Sequence, residues 1–175
     1  MHDPRPHLGE PLALDLLDTR WNEHGQPQDL LTDVTGLAIW LSSAGLTERA
    51  QADEATLAAT LAARAAIYDV VRHATHATHD ALNEVLDHGR IRRTLTHTGP
   101  AEVVDVPDPA WLPAWLAADN LLRLLADAPD RIRQCAHADC VLFFFDTSKN
   151  GTRRWHSMAT CGNRTKAARH YAKKT

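Results

Sequence analysis

"CAHADCVLFFFDTSKNGTRRWHSMATCGNR", residues 135–164, holds all three cysteines of the 175-residue chain and sets them, with one histidine, in the pattern C-x4-C-x15-H-x4-C: Cys135, Cys140, His156 and Cys161. An odd number of clustered cysteines argues against a disulfide framework and for a metal site or a reactive thiol. Two pairs with equal internal spacing, separated by a loop with room for a small hairpin, can converge on one tetrahedral ion. Zn2+ suits thiolate and imidazole donors, and a closed set of four makes the role structural. His156 repeats the x4 pairing. His137, His170, Asp139 and water stand as alternative fourth ligands, although His137 would crowd its own short loop and His170 lies beyond Cys161 in an expected helix.

The same segment needs an ion energetically. Residues 131–175 carry few large apolar groups (Val141, Leu142, three phenylalanines, Trp155, Tyr171), whereas a structural zinc contributes on the order of 10 kcal/mol to such a unit.

Working outward, charge divides the chain. Residues 131–175 have ten Lys or Arg against Asp139 and Asp146, a net +8; the whole chain has 19 against 22, which leaves nine against twenty, or -11, for residues 1–130. A compact cationic tail attracts phosphates, and the acidic body repels them. The most apolar run, residues 141–145, is far too short to span a bilayer, and the opening "MHDPRPHLGEP" lacks signal-peptide character, so the expected location is cytoplasmic.

The body reads as mainly helical. "LALDLLDTRW" (12–21) is taken as a helix and "NEHGQPQ" as a loop. "DLLTDVTGLAIWLSSAG" is a helix that stops at Gly45, and residues 52–76 are a long alanine-rich helix with apolar positions at three- and four-residue steps. Residues 79–89 form a shorter helix, and two extended runs around Gly99-Pro100 form a hairpin. "PDPAWLPAWLAADNLLRLLADAP" is a helix ending at Pro129. The expected fold is mainly α (α+β): a helical body with a small hairpin (1–129), then a zinc-stapled module ending in a basic helix (130–175).

"RRWHSMATCGNRTKAARHYAKK", preceded by C-x4-C and "FFFDTSKN", resembles the CGNR zinc finger, named for the tetrapeptide found here at residues 161–164. "LALDLLDTRW", "DLLTDVTGLAIWLSSAGL" and "LLRLLADAPDRIRQC" are similar to the ABATE domain that accompanies this finger. The resemblance implies a transcription regulator whose finger binds nucleic acid and whose body senses a small molecule or mediates assembly. Two positions depart from the family pattern. His156 stands where a cysteine is common, which turns a four-cysteine site into Cys3His. Asp18 stands where asparagine is common before the threonine.

On a helix after Cys161, Lys166, Arg169 and Lys173 share one stripe, and Arg164, Ala168 and Tyr171 another. The phosphate-contact candidates are Arg153, Arg154, Lys166, Arg169, Lys173 and Lys174. Asn163 either reaches a base edge or serves its turn, and Arg164 either contacts nucleic acid or pairs with Asp146 or a carbonyl. In the body, Arg20 is the candidate ligand clamp, with a core-edge salt bridge as the alternative. No phosphate loop, G-x-S-x-G or His-Glu-x-x-His occurs, so no catalytic role is expected. The expected partners are nucleic acid, with DNA preferred to RNA, a small-molecule effector and a second copy in a homodimer, without a membrane. The rival expectation is a zinc-braced module for small molecules or proteins that binds no nucleic acid.

Overall fold

The structure is a computed structural model that describes residues 2–73 and 75–166. Helix α1 (Leu12–Leu17) runs through the centre of the core: Ala13, Leu14 and Leu16 are fully buried, and α1 packs against the later helices α3 (Glu54–His73) and α5 (Leu112–Asp127). The inner face of α3 is made of small residues, among them Thr56, Ala59, Thr60, Ala63 and Ala66, which lets α1 and α5 approach closely. Asp53 caps α3, its carboxylate accepting the Thr56 N–H at 2.8 Å. Helix α2 (Val34–Ser43) is capped by Asp33 and buries Trp40, whose indole N–H donates to the buried Asp15 carboxylate at 2.9 Å. Arg5 Nη1 reaches that same carboxylate at 3.0 Å, so the buried charge is paired.

The expected helix over residues 12–21 stops at Leu17, because Thr19 turns its hydroxyl back onto the Leu16 carbonyl (2.7 Å) and the chain becomes extended. The expected loop after it is a hairpin instead: β1 (Arg20–Glu23) pairs antiparallel with β2 (Gln26–Asp29). His24 and Gly25, both at positive φ (50° and 78°), supply the primed turn that matches strand twist. The long helix and its successor are separate elements. The latter, α4 (His76–Leu86), starts at its own capping residue, Thr75, earlier than its apolar spacing suggests. Strands β3 (Arg90–Thr96) and β4 (Gly99–Asp105) form the expected hairpin. Pro109–Trp111 is a tight 3-10 turn leading into α5.

In the C-terminal segment, β5 (Ile132–Gln134) pairs antiparallel with β6 (Phe143–Phe145). The hairpin therefore encloses the first cysteine pair; it does not lie between the two pairs as the spacing suggested. Strand alternation explains how the module meets the body. Phe143 and its neighbour Leu142 sit in the main core, and Phe145 packs against its edge. Phe144 points the other way, fully buried beneath the Arg153 guanidinium at 4.5 Å from its ring centre. Three polar stitches secure the seam: Phe143 N–H to Asp18 Oδ1 (2.7 Å), Phe145 N–H to Glu10 Oε2 (2.8 Å) and Asn22 Nδ2 to the Asp139 carbonyl (2.8 Å).

Candidate metal centre

Cys135 and Cys140 belong to one turn. Cys135 N–H donates to the Leu142 carbonyl (2.9 Å) as the hairpin closes, and Cys140 N–H donates to the His137 carbonyl (3.0 Å). The second pair arrives on a different loop, tied to the first by Ala136 N–H donating to the Arg154 carbonyl at 2.8 Å. Ser157 then caps a wide helical turn, Met158–Gly162, that carries Cys161 inward. The chain stays helical through residues 163–166.

The ligand atoms of Cys135, Cys140, His156 and Cys161 all lie within 4.8 Å of one another, and Cys140 Sγ is 3.5 Å from His156 Nδ1. Around a tetrahedral ion with metal–sulfur distances of about 2.3 Å and metal–nitrogen distances of about 2.0 Å, neighbouring donors stand about 3.5 to 3.8 Å apart. The four residues fit such an ion with little movement. His137 is turned away, its Nδ1 accepting the Asp139 N–H (3.2 Å) within its own loop. His170, the other histidine considered, lies outside the described residues.

Electrostatics point the same way. The Cys140 thiol donates to Cys135 and, helped by His156 and working against burial, draws the Cys135 pKa down to about 3. Cys140 is pushed up by giving that hydrogen bond and by burial; Cys161 is pushed up by burial and by the charge on Cys135. The raised Cys140 and Cys161 thiols hold their protons against ionisation. An incoming divalent cation must displace the remaining protons, after which three thiolates and a neutral imidazole leave a net charge of -1 with no open position for water.

Several supporting residues gave no signal in the sequence. His7 packs its ring 4.9 Å from that of His156 and is anchored by Glu10 at 2.8 Å. Thr160 Oγ1 stands 3.5 Å from His156 Nε2, the ring nitrogen facing away from the sulfurs. Arg153 braces the second ligand loop, donating through Nε to the Trp155 carbonyl (2.9 Å) and through Nη2 to the His156 carbonyl. Only the i,i+4 relation of Thr160 to His156 could have been read in advance.

The remaining candidates separate clearly. Arg154, Asn163, Arg164 and Lys166 are exposed, whereas Arg153 is half-buried in the bracing role. Asn163 Nδ2 donates to the Ala159 carbonyl at 3.3 Å, a local turn contact. The considered pairing of Arg164 with Asp146 does not form: Asp146 is buried and occupied by the Ser148 and Arg153 N–H groups, each at 2.9 Å. Arg169, Lys173 and Lys174 lie outside the described residues. Arg20 sits on β1, far from the cluster in sequence, with its Nε 3.2 Å from Asp29 Oδ2 and its side chain 61 % exposed. Asp29 also accepts both arms of the buried Arg64 (2.7 and 2.8 Å), and although burial opposes it, this guanidinium holds Asp29 below the usual carboxylate range.

A helical body whose last segment is pinned around a Cys3His metal cluster defines a zinc-finger protein with a fused α-helical domain. The chain belongs to the ABATE family, described as "Putative stress-induced transcription regulator", which matches residues 10–128, and a CGNR zinc finger matches residues 131–174. Both resemblances read from the sequence are met, in the same order along the chain. No curated protein matches the chain. Among the described residues, no helix is long and apolar enough to cross a membrane.

Proposed function

We propose that this protein is a zinc-dependent transcription regulator that binds nucleic acid, DNA in preference to RNA, through its C-terminal finger, while the body senses a small molecule. The observation that carries the reading is the division of labour among the finger's cations. Arg131, Arg133 and Arg153 spend their donors on carbonyls inside the module, whereas Lys149, Arg154, Arg164 and Lys166 are exposed on a scaffold fixed by the ion. Exposed cations on a rigid frame are suited to phosphates and carry no base choice by themselves. The thiol-based cluster fits a reducing compartment such as the cytoplasm, and the filled coordination shell supports a non-enzymatic role.

Anisotropy titrations of random-sequence duplex DNA and RNA with the zinc-loaded chain, across a range of salt concentrations, test this. The expected outcome is salt-sensitive binding to duplex DNA. Arg154→Gln and Lys166→Gln each reduce the slope of log K against log salt by about 0.9 for every phosphate no longer neutralised. Binding that is absent, or indifferent to salt, would refute the nucleic-acid assignment and leave a zinc-braced interaction module.

A further inference from the structure

An open cleft of about 600 Å³ lies where the body meets the finger, lined on the body side by Arg20, Trp21, Asp29 and Tyr68 and on the finger side by Val141 and Phe143. We infer that this cleft is the sensing site, and that it takes a small aromatic carboxylate. The inference rests on the reading of the body as a ligand sensor and gives that reading a place and a chemistry.

Three features define the ligand. Tyr68 and Phe143 meet edge to face, 6.0 Å between centres at 88°, and form a right-angled aromatic corner. Phe143 is 2 % exposed and backs the Tyr68 ring, whereas Tyr68 is 38 % and Val141 37 % exposed, so these two offer the open apolar wall that receives a flat ring. The charge requirement follows from Asp29. Its two oxygens are saturated by Arg64, Arg20 Nε and the Leu31 N–H, so it has nothing to offer a cation. Arg20, in contrast, spends only Nε, and among the described residues no acceptor takes its two terminal amino groups. A guanidinium with a free fork selects a planar anion bidentately. Two arginines against one aspartate leave a local charge of +1, which one carboxylate neutralises and a phosphate dianion would overshoot. Because Val141 and Phe143 belong to β6 and the loop before it, an occupant touches the body and the metal-pinned module at once. Its binding energy can therefore depend on how the two are joined.

Calorimetric titration of the full zinc-loaded chain with 2-naphthoate and with its neutral counterpart, 2-naphthamide, tests the assignment. The acid binds about tenfold or more tightly than the amide. Arg20→Gln brings that ratio to about one with the amide affinity unchanged, and Arg20→Lys restores part of it. Tyr68→Ala weakens both probes together, and Arg123→Gln, on a remote surface, changes neither. Equal affinities in the parent protein, a ratio that survives Arg20→Gln, or no saturable heat from either probe up to about 1 mM would overturn the proposal. No nucleic acid enters the titration, so this result and that of the anisotropy assay fail independently.

Discussion

Stripping the ion from the purified protein is expected to melt the C-terminal module and to take part of the body's stability with it. The module's own apolar content is small, and the contribution of a structural zinc, on the order of 10 kcal/mol, exceeds anything its short β5–β6 pairing supplies. The loss spreads because Leu142 and Phe143 are members of the main core, 3 % and 2 % exposed, and each such side chain stabilises by about 1.5 to 3 kcal/mol when buried. Metal analysis should return about one zinc per chain. His137→Ala leaves that stoichiometry unchanged. His156→Ala weakens zinc binding by more than the roughly 10- to 100-fold typical of losing an outer-shell partner. His156→Cys rebuilds a closed set of four and retains the ion. Affinity falls as the medium is acidified, since the raised Cys140 and Cys161 must lose protons to bind. Competitive zinc titration and thermal melts with and without chelator read these outcomes. Tight zinc binding by His156→Ala, or a melting curve indifferent to chelator, would show that the four side chains do not hold an ion.

The metal cluster was the most legible part of the sequence because its signal is local: four donors in two equal spacings leave few ways to converge. The long helices were legible for a related reason, since α3 and α5 repeat their apolar positions over many turns. Short elements were not. Residues 12–28 read as helix and loop, but Thr19 ends α1 with a side-chain bond to the backbone, and a turn at His24-Gly25 starts a hairpin whose strands are four residues each. Four residues give too few alternations for periodicity to decide. The seam was invisible because its partners are distant: Asp18 meets Phe143 across 125 positions and Glu10 meets Phe145 across 135. The roles of the arginines were similarly hidden. Arg153 and Arg154 are adjacent and chemically identical, but the path of the loop turns one onto Phe144 and the ligand loop and leaves the other exposed.

Asp18→Asn is expected to stabilise the protein at about pH 7, by on the order of 1 to 3 kcal/mol. Asp18 is 1 % exposed; its Oδ1 accepts the Phe143 N–H, and its Oδ2 is buried without a hydrogen-bond partner among the described residues. Burial pushes its pKa well above the ordinary 3.8, only partly opposed by the Phe143 N–H, and the nearby acids Glu10 and Asp15 push it further. A carboxyl raised in the folded state binds its proton more tightly there than in the unfolded chain. The contribution of Asp18 to stability is therefore fullest below about pH 3.8 and is lost as pH rises through the folded value. An asparagine keeps the acceptor for Phe143 and carries no charge to desolvate. The stabilising margin of the variant should shrink as the medium is acidified, because a protonated aspartic acid and an asparagine cost the fold much the same. Carboxylates held low elsewhere, such as Asp29, titrate alike in both proteins and cancel in the difference. Paired denaturant melts of the two zinc-loaded proteins from about pH 8 downward measure it. A variant less stable than the parent at neutral pH would mean that the seam is held by an ionised carboxylate, contrary to the desolvated acid argued from its burial.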